Sequence, residues 1–215
     1  MEIKHPDLDE VEFTIEMNDD KSQFKNMDEY KPITASSNNI HAIVSRIEVL
    51  GMISNVKHEQ LKEFVLISIS SENSPTFYEE YRTLFNDFIS LEYNDNFPPF
   101  EGGLQEEKEY SEKIKKEIYN KKLFDFIEKN NGKKFIIHCN EGISRSPAIG
   151  MLLEMYLNEV TDKDEYIKNS DIYNHRRYEP NIITLKYIDI PKRNVFNLKE
   201  KKKQNVKKTK KAFKQ

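Results

Sequence analysis

The stretch Phe135-Ile-Ile-His-Cys-Asn-Glu-Gly-Ile-Ser-Arg-Ser-Pro-Ala148 carries the strongest structural and chemical signal in this chain. Its first residues are apolar and typical of a β-strand, and a helix-type run begins at Ser146. The segment therefore predicts a strand, a tight loop and a helix. A thiol, Cys139, lies at one end of the loop and a guanidinium, Arg145, at the other. Such a loop turns successive backbone N–H groups inward, and the helix adds the positive end of its dipole.

The two ends of this loop carry the groups that a reaction at phosphorus needs. The planar fork of Arg145 can bind two oxygens of a tetrahedral anion. The same positive field favours the thiolate form of Cys139, which is the nucleophilic form. The residues that we expect around a bound phosphate are Asn140, Glu141, Gly142, Ile143, Ser144 and Arg145, largely through their backbone N–H groups. The alternative, a buried strand-end cysteine with Arg145 on a helix surface, leaves the order of these residues unexplained.

This stretch resembles the His-Cys-x5-Arg-Ser signature of the cysteine-dependent protein tyrosine and dual-specificity phosphatases. The matching residues are His138, Cys139, Gly142, Ser144, Arg145 and Ser146. The resemblance covers residues 39–191 and implies an α/β fold with a central, largely parallel twisted sheet of four or five strands flanked by helices, like that of the protein tyrosine phosphatases. Strands that alternate with helices along the chain favour the same fold class.

The resemblance also implies roles for two neighbours of the cysteine. In that family, the hydroxyl at the position of Ser146 hydrogen-bonds the thiolate and eases its departure from the phosphocysteine. A helix N-cap is the other role open to Ser146. The family's histidine at the position of His138 orders the loop and helps to keep the cysteine ionised. We expect a structural role for His138 with an electrostatic side effect.

A general acid must protonate the leaving oxygen, and the family uses an aspartate on the loop after the strand that precedes the long helix. Asp95 stands in that place, after a predicted strand at residues 88–93. The family's Trp-Pro-Asp is replaced here by Asn-Asp-Asn. A turn role for Asp95 therefore stays open, and so do Glu92, Asp87 and Glu101 as the acid. The Arg176-Arg177 and Pro180-Asn181 pairs resemble a later family segment only loosely, and we assign them no catalytic role.

The remaining elements follow from hydrophobic periodicity. We predict strands at 40–44, 64–69, 88–93 and 135–137, and helices at 78–88, 110–126, 148–157, from 161, and at 182–188. Residues 45–50 lead into a predicted turn at Gly51. A weak edge-strand pattern lies at 11–15.

Composition and charge divide the chain into three parts. Residues 1–38 are predicted to be an acidic arm, and residues 192–215 a basic tail with eleven Lys and Arg against Glu200 alone. The resemblance implies that residues 39–191 between them are the dual-specificity phosphatase-like catalytic domain. Four roles are open to the tail: a flexible solvated extension, an attachment to nucleic acid or an anionic membrane, a nuclear localisation signal, or docking onto the chain's own acidic arm. The single cysteine, and the absence of a signal peptide or a long apolar run, favour a cytoplasmic or nuclear protein. The other histidines show no ligand spacing, so we expect no metal and no cofactor.

The resemblance implies a protein phosphatase that hydrolyses phosphotyrosine, and as a second class phosphoserine or phosphothreonine, through a phosphocysteine. Glu141 inside the loop disfavours highly charged inositol phosphates. Three other functions stay open. One is a rhodanese-like enzyme, against which Asp95 and Ser146-Pro147 argue. The second is a catalytically weak phosphoprotein-binding module, although such modules usually lose the Cys or the Arg. The third is an RNA 5′-phosphatase or triphosphatase, favoured only by the basic tail.

Overall fold

Four parallel strands form the sheet in the computed structural model, which describes residues 39–72, 79–96 and 98–193. The strands within these ranges are β1 Ile40–Ser45, β2 Phe64–Ser70, β3 Asp87–Glu92 and β4 Lys134–Cys139. Their order across the sheet is β1-β4-β2-β3, and each neighbouring pair is parallel. The predicted α/β class with a parallel sheet is therefore confirmed, with four strands in the described part of the chain.

Helices cover both faces of this sheet. They are α1 Arg46–Asn55, α2 His58–Leu61, α3 Gly103–Asn120, α4 Leu123–Lys129, α5 Arg145–Leu157, α6 Lys163–Asn169, α7 Asp171–Asn174 and α8 Ile182–Tyr187, with a 3-10 helix at Glu79–Leu84. The period-2 alternation of strand side chains explains why there are two cores. In β4, for example, Phe135 and Ile137 face α3, α4, α5 and α8, whereas Ile136 faces α1 and α2.

The centre of the domain is the pair β4 and α5, which flank the predicted loop. β4 is buried at every position except its first, and α5 is buried at all of its positions. A parallel strand and a helix that are covered on all sides read as continuous apolar runs, which is why both were recognisable in the sequence. Because both elements are held by the core, the loop between them has two fixed ends.

Three predicted elements differ from the structure. The turn at Gly51 is wrong, because Ser45 and Glu48 form a capping box that starts α1, and this helix continues through Gly51. The predicted helix at 110–126 is broken at Lys122, whose left-handed backbone (φ 54°) separates α3 from α4. The predicted helix at 78–88 is a 3-10 helix that ends at Leu84 and leaves Asp87 to start β3.

Other parts of the expectation fall on residues that the structure does not describe. The acidic arm at 1–38, its candidate strand at 11–15 and the tail beyond Arg193 lie outside the described residues. Within the described ranges, each helix is too short or too polar to cross a lipid bilayer.

Candidate active site

The loop of residues 139–145 joins β4 to α5 at the carboxyl end of the sheet. β4 lies between β1 and β2, so Cys139 ends a central strand, and Ser45 of β1 lies opposite it in register. Ligands of parallel α/β sheets bind at this edge. The helix that follows begins at Arg145, so the positive end of its dipole faces the loop.

Gly142 brings the loop into close contact with the start of α1. Its backbone is left-handed, with φ +71°, and a Cβ at this position would lie 2.5 Å from the Ser45 amide nitrogen and 2.7 Å from the Val44 carbonyl oxygen. Only glycine meets both conditions, because it has no Cβ and adopts this backbone at little cost. On the same side, the Asn140 carbonyl accepts a hydrogen bond from the Arg46 N–H at 3.0 Å.

The other side of the loop is held by the segment that precedes α8. The Ile143 carbonyl accepts from the Glu179 N–H at 2.9 Å, and the Ser144 carbonyl accepts from the Asn181 N–H at 3.1 Å. Three loop carbonyls are thus turned outward to the scaffold. Backbone bonds on both sides fix the course of the loop, which is the preorganisation that an anion site requires.

Cys139 lies at the base of this loop and is 1% exposed. Its Sγ is 3.2 Å from the hydroxyl oxygen of Ser146, which is also buried. Ser144, not Ser146, occupies the N-cap position of α5, and the Ser144 side chain makes no capping bond there. The N-cap role considered for Ser146 is therefore excluded, and its hydroxyl is placed to hydrogen-bond the sulfur.

Arg145 is 3% exposed, and its guanidinium is held by the ends of the two neighbouring strands. One terminal nitrogen, Nη1, donates to the Tyr93 carbonyl at 2.8 Å and to the Ser71 hydroxyl at 3.0 Å. The buried Nε has no hydrogen-bond partner, and it lies 3.6 Å from Oδ2 of Asp95. A buried donor without a hydrogen bond costs free energy, and its presence in a folded protein is explained by a catalytic role, by strain, or by a bound water or ion.

Asp95 lies over the loop. Its Oδ1 accepts from the Ser144 hydroxyl at 2.7 Å and from the Asn181 side-chain amide at 2.9 Å. Tyr110 fixes the backbone on either side of Asp95, because its hydroxyl donates to the Asn94 carbonyl and accepts from the Asn96 N–H. The structure thus brings Asp95 to Arg145 and the loop, as the general-acid assignment requires.

The other three candidate acids differ from Asp95 in their contacts. Asp87 starts β3, and its carboxylate binds Lys129; the length of that strand places it about 17 Å from the carboxyl edge. Glu101 is exposed in the turn before α3. Glu92 ends β3, and its backbone N–H donates to Glu117 of α3. None of these three shows a bond to residues 139–145 within the described part of the chain.

His138 is buried under the loop, 2% exposed. Burial lowers its pKa to about 3, and the charges of Arg46 and Arg145 act in the same direction. The imidazole is therefore neutral at neutral pH. Any help that it gives to the thiolate does not come from a positive charge, so packing and hydrogen bonding are the roles left to it.

The loop residues Glu141 and Ile143 are both exposed and form part of the rim. Sequence reasoning missed Asn181, which is fully buried and joins Asp95 to the loop. The pair Pro180-Asn181 predicted a helix start and loosely resembled a later family segment, to which no catalytic role was assigned. Asn181 does cap α8 by accepting from the Thr184 N–H. It also missed Ser71 and the Tyr93 carbonyl, for which the sequence holds no signal because their roles arise from strand pairing.

No protein-family model matches the chain, and no curated protein matches it. Among the residues that the structure describes, no group of three or more His, Cys, Asp or Glu side chains is arranged to hold a metal ion.

Proposed function

We propose that this protein is a cysteine-dependent protein phosphatase of the dual-specificity type, with Cys139 as its nucleophile. The observation that carries the proposal is the buried Nε–H of Arg145, which lies 3.6 Å from Oδ2 of Asp95 and has no hydrogen-bond partner. It lies in the same loop as a buried thiol that contacts a serine hydroxyl. A phosphate oxygen would complete the hydrogen bonding of that guanidinium and bring phosphorus towards the sulfur.

In the first step, the Cys139 thiolate attacks phosphorus. The S–P bond forms while the bond between phosphorus and the ester oxygen breaks. Asp95 gives its proton to the leaving oxygen, so the alcohol or phenol departs neutral. Arg145 and the loop N–H groups stabilise the charge on the other phosphoryl oxygens, which is greatest in the transition state. The product of this step is a phosphocysteine.

In the second step, water attacks the phosphocysteine and the S–P bond breaks. Asp95, now a carboxylate, takes the proton from that water. The Ser146 hydroxyl, 3.2 Å from Sγ, donates a hydrogen bond to the departing thiolate and makes it a better leaving group. Inorganic phosphate leaves, and the net reaction is hydrolysis of a phosphate monoester. No redox partner or cofactor enters this sequence.

The substrate class that we propose is phosphotyrosine in proteins, followed by phosphoserine and phosphothreonine. The exposed carboxylate of Glu141 on the loop opposes binding of a headgroup with several phosphates. We assign the activity to the cytoplasm or nucleus, because a nucleophilic thiol requires a reducing compartment. The basic tail lies outside the described residues, and its attachment to nucleic acid or membrane stays a separate prediction.

A substrate panel tests this proposal. The intact protein and Cys139→Ser are assayed with phosphotyrosine, phosphoserine and phosphothreonine peptides and with an RNA 5′-triphosphate, in the presence of EDTA. We expect phosphate release from the phosphotyrosine peptide, none by Cys139→Ser, and an acid-stable labelled phosphoenzyme after rapid quenching. Release from the RNA alone would favour the RNA phosphatase, and transfer of sulfur from thiosulfate would favour the rhodanese-like enzyme. Binding of a phosphopeptide without turnover would favour the binding module.

A further inference from the structure

Two separate segments hold the 139–145 loop from opposite sides. The first is the β1–α1 junction, residues 43–48, which contacts Gly142 and binds the Asn140 carbonyl. The second is the 177–181 segment, which binds the carbonyls of Ile143 and Ser144. Arg177 in the second segment is 129 residues beyond Glu48 in the first. The geometry of the loop therefore depends on how the two segments are held relative to each other.

The two segments are also bound directly to each other. The Tyr178 hydroxyl donates to the Ile43 carbonyl at 3.2 Å. Nη2 of Arg177 lies 2.5 Å from Oε2 of Glu48, and that same carboxylate oxygen accepts from the Ser45 N–H at 2.6 Å. Arg177 thus reaches, through one carboxylate, the backbone amide against which Gly142 packs.

We propose that the Arg177–Glu48 ion pair is a positioning contact. It joins the β1–α1 junction to the 177–181 segment on the two sides of the 139–145 loop and so sets the affinity of the loop for oxyanions. The inference rests on the proposed function only in naming the ligand class, tetrahedral oxyanions. Arg177 and Glu48 do not touch the substrate. They act by keeping the β1–α1 junction and the 177–181 segment at the spacing that the loop carbonyls need.

The chemistry of the pair gives the proposal a signature. Its two side chains are 40% and 33% exposed, so the attraction between them is screened by salt. Exposed ion pairs contribute little to global stability. A bond that matters little for stability but controls loop geometry should alter anion affinity while the melting temperature hardly changes.

Arg177→Met removes the charge and keeps the length of the side chain, and Glu48→Gln keeps an oxygen that can accept from the Ser45 N–H. Arg177→Lys tests rescue, because it restores a cation at this site. The matched control is Lys129→Met, which breaks the ion pair with Asp87 (2.7 Å) at the other end of the sheet. Three quantities are measured for each variant: the Kd for tungstate, kcat/KM for an aryl phosphate, and amide hydrogen exchange of residues 140–144.

For Arg177→Met, we expect the Kd for tungstate to rise at least threefold and exchange in residues 140–144 to accelerate at least fivefold. Arg177→Lys should recover half or more of both effects. The double variant with Glu48→Gln should be no worse than Arg177→Met alone, because both changes break one contact. In 0.5 M NaCl, the ratio of the tungstate Kd of Arg177→Met to that of the intact protein should fall towards one. Lys129→Met should leave all three quantities unchanged.

The outcomes separate this inference from the proposed function. If tungstate affinity and loop exchange are unchanged in Arg177→Met, the positioning role of the Arg177–Glu48 pair is refuted. Cys139-dependent hydrolysis would in that case still support the proposed phosphatase. Additive losses in the double variant would also refute the positioning role. Absence of hydrolysis by the intact protein would refute the proposed phosphatase activity only. Hydrogen exchange of the loop would still test the positioning role of the Arg177–Glu48 pair, because it needs no turnover.

Discussion

Two aspartates lie near opposite ends of strand β3, and each is bound by an asparagine amide and faces a cation. At the amino end, Oδ2 of Asp87 accepts from Lys129 Nζ at 2.7 Å and from Asn130 Nδ2 at 2.9 Å. The exposed fractions of the Asp87 and Asp95 side chains are similar, 21% and 26%. Burial alone therefore does not tell which carboxylate belongs to a site.

Beyond the carboxyl end of β3, the hydrogen bonding is incomplete. Asp95 accepts from Asn181 Nδ2 at 2.9 Å, but its distance to Arg145 Nε is 3.6 Å, too long for a good hydrogen bond. Lys129 is hydrogen-bonded to Asp87, whereas the buried Nε–H of Arg145, beside Asp95, has no hydrogen-bond partner. An aspartate, an asparagine and a cation thus form a fully hydrogen-bonded cluster at one end, whereas the corresponding cluster at the other end leaves the Arg145 Nε–H without a hydrogen bond.

Replacement of the two cations should give the largest difference between these clusters. Arg145→Lys keeps the charge but loses the planar fork and the Nε–H, so we expect kcat/KM for an aryl phosphate to fall about 10³-fold or more. Lys129→Arg should leave kcat/KM within twofold. Steady-state kinetics on the two purified variants checks this. Similar small losses in both would mean that the unpaired Nε–H does not bind the phosphate.

Replacement of the two carboxylates should give the next largest difference. Asp95→Asn removes the proton donor, so kcat should fall about 10²-fold or more, while KM stays within threefold because Asn keeps the contacts with Ser144 and Asn181. Asp87→Asn should leave both constants unchanged. An aryl phosphate with a very acidic leaving group provides the control, since it needs no proton and should restore most of the rate of Asp95→Asn. If kcat of Asp95→Asn stays within a few-fold of the intact protein, Asp95 is not the acid.

The difference between the clusters was only partly predictable. Local sequence predicted the order of strand, loop and helix, with Cys139 and Arg145 at the two ends of the loop. The two apolar runs and the short loop between them all lie within fifteen residues. Asp95 was the candidate general acid because it follows the predicted third strand, where the family resemblance implies an aspartate. Nothing in the sequence around Asp87 marked it as a structural partner of Lys129, since the two residues meet only through the packing of α4 on β3.

Contacts between distant segments were not predictable for the same reason. Asn181 reaches Asp95, and Arg177 reaches Glu48, across intervals of 86 and 129 residues. The capping box that starts α1 was readable in principle from the spacing of Ser45 and Glu48, but residues 45–50 were interpreted as leading into a turn at Gly51. Local patterns thus predicted most elements and marked Cys139 as the proposed nucleophile, whereas tertiary packing decided how the loop and Asp95 are held.

Replacement of the two asparagines, Asn181 and Asn130, should give a smaller difference in kcat. Asn181→Ser keeps a helix-capping hydroxyl but loses the amide that donates to Asp95, so we expect kcat to fall about five- to tenfold with KM unchanged. The matched change Asn130→Ser should alter only stability, because Asn130 binds Asp87 and the Phe126 carbonyl. A solvent isotope effect on kcat distinguishes a misplaced acid from a general loss of structure. A fall in kcat of equal size in Asn130→Ser would contradict the comparison.

The smallest effect concerns the pH dependence of stability at the amino end of β3. Burial raises the pKa of Asp87, but the hydrogen bonds from Lys129 and Asn130 more than offset this and leave the pKa below its ordinary value. Because the unfolded chain then binds the proton more readily, the contribution of Asp87 is complete above its unfolded pKa of about 3.9 and is lost as the pH falls through the lower, folded pKa. Asp87→Asn should remove this contribution, so its urea midpoint should lie below that of the intact protein at pH 6, and the gap should narrow as the pH is lowered below about 3.9. The gap at pH 6 should be about 1 kcal/mol or less, since the cluster is partly solvated. A gap that stays constant from pH 6 to pH 3 would show that the ion pair with Lys129 does not stabilise the fold.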